Sequence, residues 1–298
     1  MRVVHGAALC GVFLTGVTLV ALGQPPDPAH ILAAARDALG GDAKLQAVTT
    51  FVATGRTRQL RGNNLVPIEF EINCELPDKF VRKDEIPAQD TDITVAGFRG
   101  DELIQSPSGR GGARGGPPNP AQQRVAVLKQ DFVKLTLGVF ATSFPTFPLT
   151  FKYAAEAEAP EGKADVLDVT GPANFTARLL VQRDTHLPVM LMWQAPPAGG
   201  GRGPGAPGSA PGPASTPGAG AGAPAPPGAA PPAPRGGPPA AAQAEHRLYY
   251  ADYRPLNGGI KWPFRIRHAV SGATIEETTF DRVNLNVKID PRKFESPK

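Results

Sequence analysis

From Ile260 onward the chain alternates almost without a break, and no other stretch constrains its fold as tightly. Ile260, Trp262, Phe264, Ile266, His268 and Val270 fall on one face, while Lys261, Arg265 and Arg267 fall on the other. After Ser271-Gly272 a second run ends with Val283, Leu285, Val287 and Ile289 on one face and Arg282, Asn284, Asn286 and Lys288 opposite. A period of two with one apolar and one wet side means antiparallel strands packed on one face only.

The same period begins at Val48. It predicts strands near 48–60, 65–75, 78–86, 92–98 and 102–105, with Ile68, Phe70 and Ile72 inward against Glu69, Glu71 and Asn73. Four more follow at 148–155, 163–170, 174–183 and 187–194, separated by turns such as Gly171-Pro172 and Asp184-Thr185. Two stretches break the pattern and read as helices. Asp27 to Leu39 has an N-cap aspartate, Pro28 in the first turn, an apolar stripe of Ile31, Leu32, Ala35 and Leu39, and Gly40-Gly41 as a stop. Ala121 to Val139 repeats Val125, Leu128, Phe132, Leu135 and Val139 at three- and four-residue spacing.

Two segments cannot hold regular structure. Residues 106–120 form a Gly/Arg/Pro loop, expected to be flexible. In residues 195–244, 28 of 50 positions are Pro or Gly and most of the rest are Ala, without a collagen period. Such a tract lacks the apolar side chains that offset ordering entropy, so disorder is expected. It falls between a strand ending at Trp193 and one starting near His246, which makes it an expanded loop within one domain. Residues 1–23 combine Met1-Arg2, an apolar run and Ala21-Leu22-Gly23, the parts of a secretory signal peptide, with an uncleaved anchor as the alternative. The expected organisation is a leader at 1–23 and a single β-rich domain at 24–298. The expected location is periplasmic or secreted.

Chemistry-bearing patterns are scarce. Beyond the leader only Cys74 remains, on the apolar face of Ile68, Phe70 and Ile72, so a buried, inert thiol is expected. Of the five histidines, His30, His186, His246 and His268 lie beyond the leader, and no two have metal-ligand spacing. His268 reads as a hydrogen-bonded core or rim histidine. No GxSxG elbow occurs, and Glu69/Glu71 lie on the wet face of a strand. Neither a catalytic residue, a metal nor a cofactor is nominated. The formal charge of +4 leaves room for peripheral membrane contact but carries no nucleic-acid claim. What stands out is large inward-facing apolar side chains: Phe70, Ile72, Phe80, Phe132, Trp193, Trp262 and Phe264. They either pack as a core between sheet and helices or wall a cavity for a lipid or acyl chain.

Several stretches resemble one family. The helix end Ala38-Leu39-Gly40-Gly41, then Leu45 and Phe51-Val52-Ala53-Thr54-Gly55, are similar to secreted bacterial proteins of the lipoprotein-carrier (LolA/LolB-like) superfamily. So are Tyr250-Ala251-Asp252-Tyr253-Arg254, Gly258-Gly259, Trp262-Pro263, Val283-Asn284-Leu285-Asn286 and Ile289-Asp290 before Phe294 and Pro297. The resemblance implies a mainly β, α+β fold: an unclosed antiparallel half-barrel of about eleven strands covered by helices. It also implies a non-enzymatic carrier that holds acyl chains of lipids or lipoproteins in an apolar hollow. The alternative is an envelope interaction or scaffold protein, with the Pro/Gly-rich tract as tether or partner-binding arm; a hydrolase ranks third.

Overall fold

The computed structural model describes residues 26–87, 93–107, 119–159, 162–195 and 243–296. The expected leader, most of the Gly/Arg/Pro loop and nearly all of the Pro/Gly/Ala tract lie outside the described residues.

Among the described residues twelve strands form one antiparallel sheet, one more than the resemblance implied. In chain order they are β1 (Thr50–Arg61), β2 (Asn64–Glu75), β3 (Lys79–Glu85), β4 (Ile93–Arg99), β5 (Glu102–Ser106), β6 (Thr150–Ala159) and β7 (Gly162–Gly171). β8 (Phe175–Gln182), β9 (Pro188–Ala195), β10 (Ala244–Pro255), β11 (Lys261–Val270) and β12 (Ala273–Leu285) complete it. Their spatial order is β5-β4-β3-β2-β1-β12-β11-β10-β9-β8-β7-β6. Each strand pairs with its sequence neighbour, except that β1 pairs with β12 and the route from β5 to β6 runs through a helix. Among the described residues β5 and β6 are therefore the edges of the sheet, and the barrel stays open between them. Extra residues distort the pairing at Thr54/Gly55, His268/Ala269, Tyr153/Ala155 and Leu180/Val181. Each bulge strengthens the local right-handed twist, which curls a long sheet into a half-barrel.

Among the described residues three helices lie on the concave side. α1 (Pro28–Ala38) starts where expected, with the Asp27 side chain accepting from the Ala29 N–H at 3.0 Å. It stops at Gly40, whose φ of 134° no side chain tolerates well. The preceding Leu39 carbonyl accepts from the Lys261 N–H at 2.7 Å, which ties the helix end to the start of β11. The short α2 (Asp42–Gln46) was not legible in the sequence and buries only Leu45. α3 (Pro120–Phe140) matches the three-and-four spacing and turns Val125, Leu128, Phe132, Leu137 and Phe140 inward. Beyond β12, Asn286 takes a φ of 54° and its side chain accepts from the Thr49 N–H at 2.9 Å. The strand expected to run on to Ile289 therefore ends at Leu285. A 3-10 turn, Pro291–Phe294, then folds Phe294 onto Val81 and Ile104 on the convex face.

The main core fills the space between the concave face and the helices. Phe51, Trp262, Phe98, Phe132 and Leu137 are all fully enclosed there. Cys74 is buried in the same layer, and burial pushes its thiol well above the usual range, as expected of an inert cysteine.

Candidate ligand compartment

Alternation along each strand sends one set of side chains into the concave face, and α3 runs across that face against β4, β5, β9 and β11. Of the inward residues singled out in the sequence, Phe70, Ile72, Phe80, Phe132 and Trp262 lie in the main core, each less than a tenth exposed. Trp193 and Phe264 pack against that core but stay partly exposed. The aromatic rings interlock. Phe132 of α3 meets Phe80 at 5.6 Å and Phe98 at 5.8 Å, while Trp262 meets Phe51 at 5.2 Å and Phe280 at 5.7 Å. Phe264 sits at the rim under the Arg254 guanidinium, 5.0 Å from its ring centre. Within this apolar layer the Trp262 Nε1–H has no acceptor among the described residues, which leaves a buried donor unsatisfied.

A cavity of about 370 Å³ opens beside this layer, between α1–α2 and the end of α3. Leu45, Val48, Phe140 and Phe144 supply its apolar part, and Arg36, Asp42, Gln46, Thr142 and Ser143 its polar part. Arg36 donates to Asp42 at 2.5 Å, and Gln46 donates to the other oxygen of Asp42 at 2.8 Å, so the rim is cross-braced.

The concave face also carries a polar belt, most of which the sequence did not disclose. Strand register sets His246 opposite Trp193, His268 opposite Glu276, and Glu276 opposite Gln59. His246 Nδ1 and His268 Nε2 lie 3.0 Å apart, and Trp193 stacks on both imidazoles with centroids at 5.3 Å. Further along, the Thr57 and Thr278 hydroxyls share a buried hydrogen bond at 2.9 Å. Arg82 donates to Asp84 at 2.6 Å and to Thr57 at 3.1 Å while lying over the Phe70 ring. α3 faces this belt with Lys134, whose ammonium is 4.6 Å from the Trp193 ring centre and paired with Asp131 at 2.9 Å.

Burial governs the titration of these groups. It holds His268 down to about 4, with His246 and Lys134 adding to the effect. It also raises the Glu276 carboxyl, against the pull of Arg82 and the Gln59 amide. The expectation of a hydrogen-bonded inward His268 matches the structure. Its partner His246 was missed, although a signal existed: around the Gly258-Gly259 turn, both histidines point inward from paired strands, two positions out of register.

Among the described residues no group of three or more His, Cys, Asp or Glu is placed to hold a metal ion. No helix among them is long and apolar enough to cross a membrane.

No family model matches the sequence, and no curated protein matches it significantly. Solved structures do match. A LolA superfamily protein from Nitrosomonas europaea superposes with a TM-score of 0.51 at 11% identity, covering 90% of this chain and 97% of that one. A domain described as an outer membrane lipoprotein-sorting one, from Vibrio parahaemolyticus, gives 0.48 at 8% identity over 90% and 97% of the two chains. A DUF1329 family protein from Desulfovibrio piger gives 0.43 at 8% identity over 91% and 98%. The first of these superpositions, together with the open sheet and its helical cover, establishes the architecture: the chain has a LolA-like fold.

Proposed function

We propose that this chain is a non-enzymatic carrier of the cell envelope that holds acyl chains of lipids or lipoproteins within its half-barrel. One observation carries the reading: the apolar concave face is closed by helices, chiefly α3, rather than by strands. A helix seated by side-chain contacts can leave and return without breaking the sheet's hydrogen-bond ladder. An acyl chain seated beneath the lifted helix would gain about 0.8 kcal/mol per buried methylene. The Trp262 N–H, without an acceptor among the described residues, suits the ester or amide carbonyl of such a ligand, and Phe70, Ile72, Phe80, Phe132, Trp193, Trp262 and Phe264 are its proposed wall. Residues 1–23, read as a leader, would deliver the chain to the periplasm.

A second reading has its own support. With α3 seated, Phe132 and its aromatic neighbours fill the concave layer. An interaction protein with a permanently filled core would look the same. Solvent extraction of the purified full chain, followed by mass spectrometry, separates the two. A carrier yields acylated species in near-stoichiometric amount or, once stripped, takes up fatty acid. Absence of both would refute carriage and leave the interaction protein.

A further inference from the structure

The seat of α3 is chemically unusual at one point. The Tyr250 hydroxyl donates to the Lys134 carbonyl, and the Tyr253 hydroxyl donates to the Gly138 carbonyl at 2.7 Å. Between these bonds and the polar belt, the Lys134 ammonium rests on Trp193, and Trp193 rests on the His246–His268 pair. A cation on α3 and two imidazoles thus contact one and the same indole. We propose that the His246–His268 pair is an acid-sensitive latch for α3, so that protonating it loosens the helix and opens the concave face. The proposal rests on the carrier reading for its biological use but not for its physics.

Among the described residues, charges facing the pair come from three elements. β10 supplies His246 itself, and α3 supplies Lys134 with its partner Asp131. β12 supplies Glu276, directly across from His268. Glu276 offers little compensation, because burial favours its neutral form and one oxygen already accepts from Gln59 at 3.0 Å. A proton on His268 therefore meets the Lys134 cation, and Asp131 is already paired with that lysine. A second proton on the pair removes the imidazole acceptor from its hydrogen bond.

The sign follows from linkage. His268 is held down from an ordinary 6.5 to about 4 in the seated state. Between those values the opened state binds a proton that the seated state refuses, so acid favours opening. Below about 4 both states are protonated and the effect levels off. Going from near pH 7.5 to about pH 5, the opening equilibrium rises by at most roughly 30-fold, an upper bound because His268 is only partly enclosed.

Hydrogen exchange of the full chain tests this, comparing peptides of α3 with peptides of β7 and β8 after correction for intrinsic exchange. Protection of α3 is expected to fall by about an order of magnitude toward pH 5 relative to those strands. His268→Gln keeps a hydrogen-bonding side chain and should abolish that pH dependence. Equal relative protection at both pH values would overturn the latch, as would undiminished pH dependence in the variant. If the variant does not fold, the His268 titration in the wild-type chain decides, and a midpoint at or above 6.5 overturns the proposal. Binding of an apolar fluorescent probe near pH 7.5 is scored separately. Its loss would count against carriage and leave the latch standing, whereas probe binding with a pH-independent α3 would do the reverse.

Discussion

Replacing Gly138 by alanine reverses an ordinary expectation about helices. In an exposed helix the change stabilises by about 1 kcal/mol, because glycine has the greater backbone freedom to lose. In α3 a Cβ at this position would lie 2.5 Å from Tyr250 Cδ1 and 2.9 Å from its Cγ, inside any tolerable contact. The tyrosine is buried in the main core, so the ring cannot swing away and the helix must lift. Lifting strains the bonds from Tyr250 to the Lys134 carbonyl and from Tyr253 to the Gly138 carbonyl, each worth about 1 kcal/mol net. Overpacking adds about 1–3 kcal/mol. Set against the propensity gain, the net loss is about 2 kcal/mol, or a melting temperature lower by about 4–8 °C. Urea denaturation of the wild type, Gly138→Ala, Tyr250→Ala and the double variant gives the cycle. The Gly138→Ala change should be harmful with Tyr250 in place and neutral or helpful in the Tyr250→Ala background. A stabilised single variant, or the same penalty in both backgrounds, would refute the account of how α3 is seated.

Other consequences are simpler to check. Phe132→Ala empties the centre of the α3 contact with Phe80, Phe98 and Phe144 and should cost about 3–5 kcal/mol in a denaturant melt. Glu276→Gln should stabilise the fold at pH 7, where burial disfavours the carboxylate. That gain should shrink as the pH falls through the raised carboxyl value and be absent near pH 3, where both side chains are neutral; thermal melts at the two pH values read it out. Ala195 and Ala244 are direct cross-strand partners, so replacing residues 197–242 by a turn roughly tenfold shorter should leave a cooperative melt, with loop closure easier by about 2 kcal/mol. Loss of cooperativity in that deletion would mean the tract supports the sheet.

The sheet was legible because one-sided burial writes itself into the sequence with a period of two. Ile68, Phe70 and Ile72, or Trp262 and Ile266, needed no partner to be assigned a face. Where a local backbone event ended a strand, the pattern misled: Val287 and Ile289 keep alternating beyond Asn286, although the ladder stops at Leu285. α2 is too short to show a period. The helix cover was legible in α3 from its spacing, but its path across β4, β5, β9 and β11 was not, since that depends on how far the sheet curls. The polar belt was the least legible feature. Its members, Trp193, His246, His268, Glu276, Gln59, Thr57 and Arg82, come from β9 to β12 at one end of the chain and from β1 and β3 at the other, and the register brings them together. Inward-pointing polar residues were each plausible as solitary core or rim groups until the pairing was known.

Whether α3 covers a surface for an acyl ligand, as proposed, is decided by one titration. A fluorescent fatty-acid analogue is added to the full chain while hydrogen exchange is followed along the backbone. A carrier is expected to show saturable binding, competition by unlabelled fatty acid, and a change in protection concentrated in α3 and the strands beneath it. Absence of saturable binding would contradict carriage, and so would binding that leaves the protection of α3 unchanged.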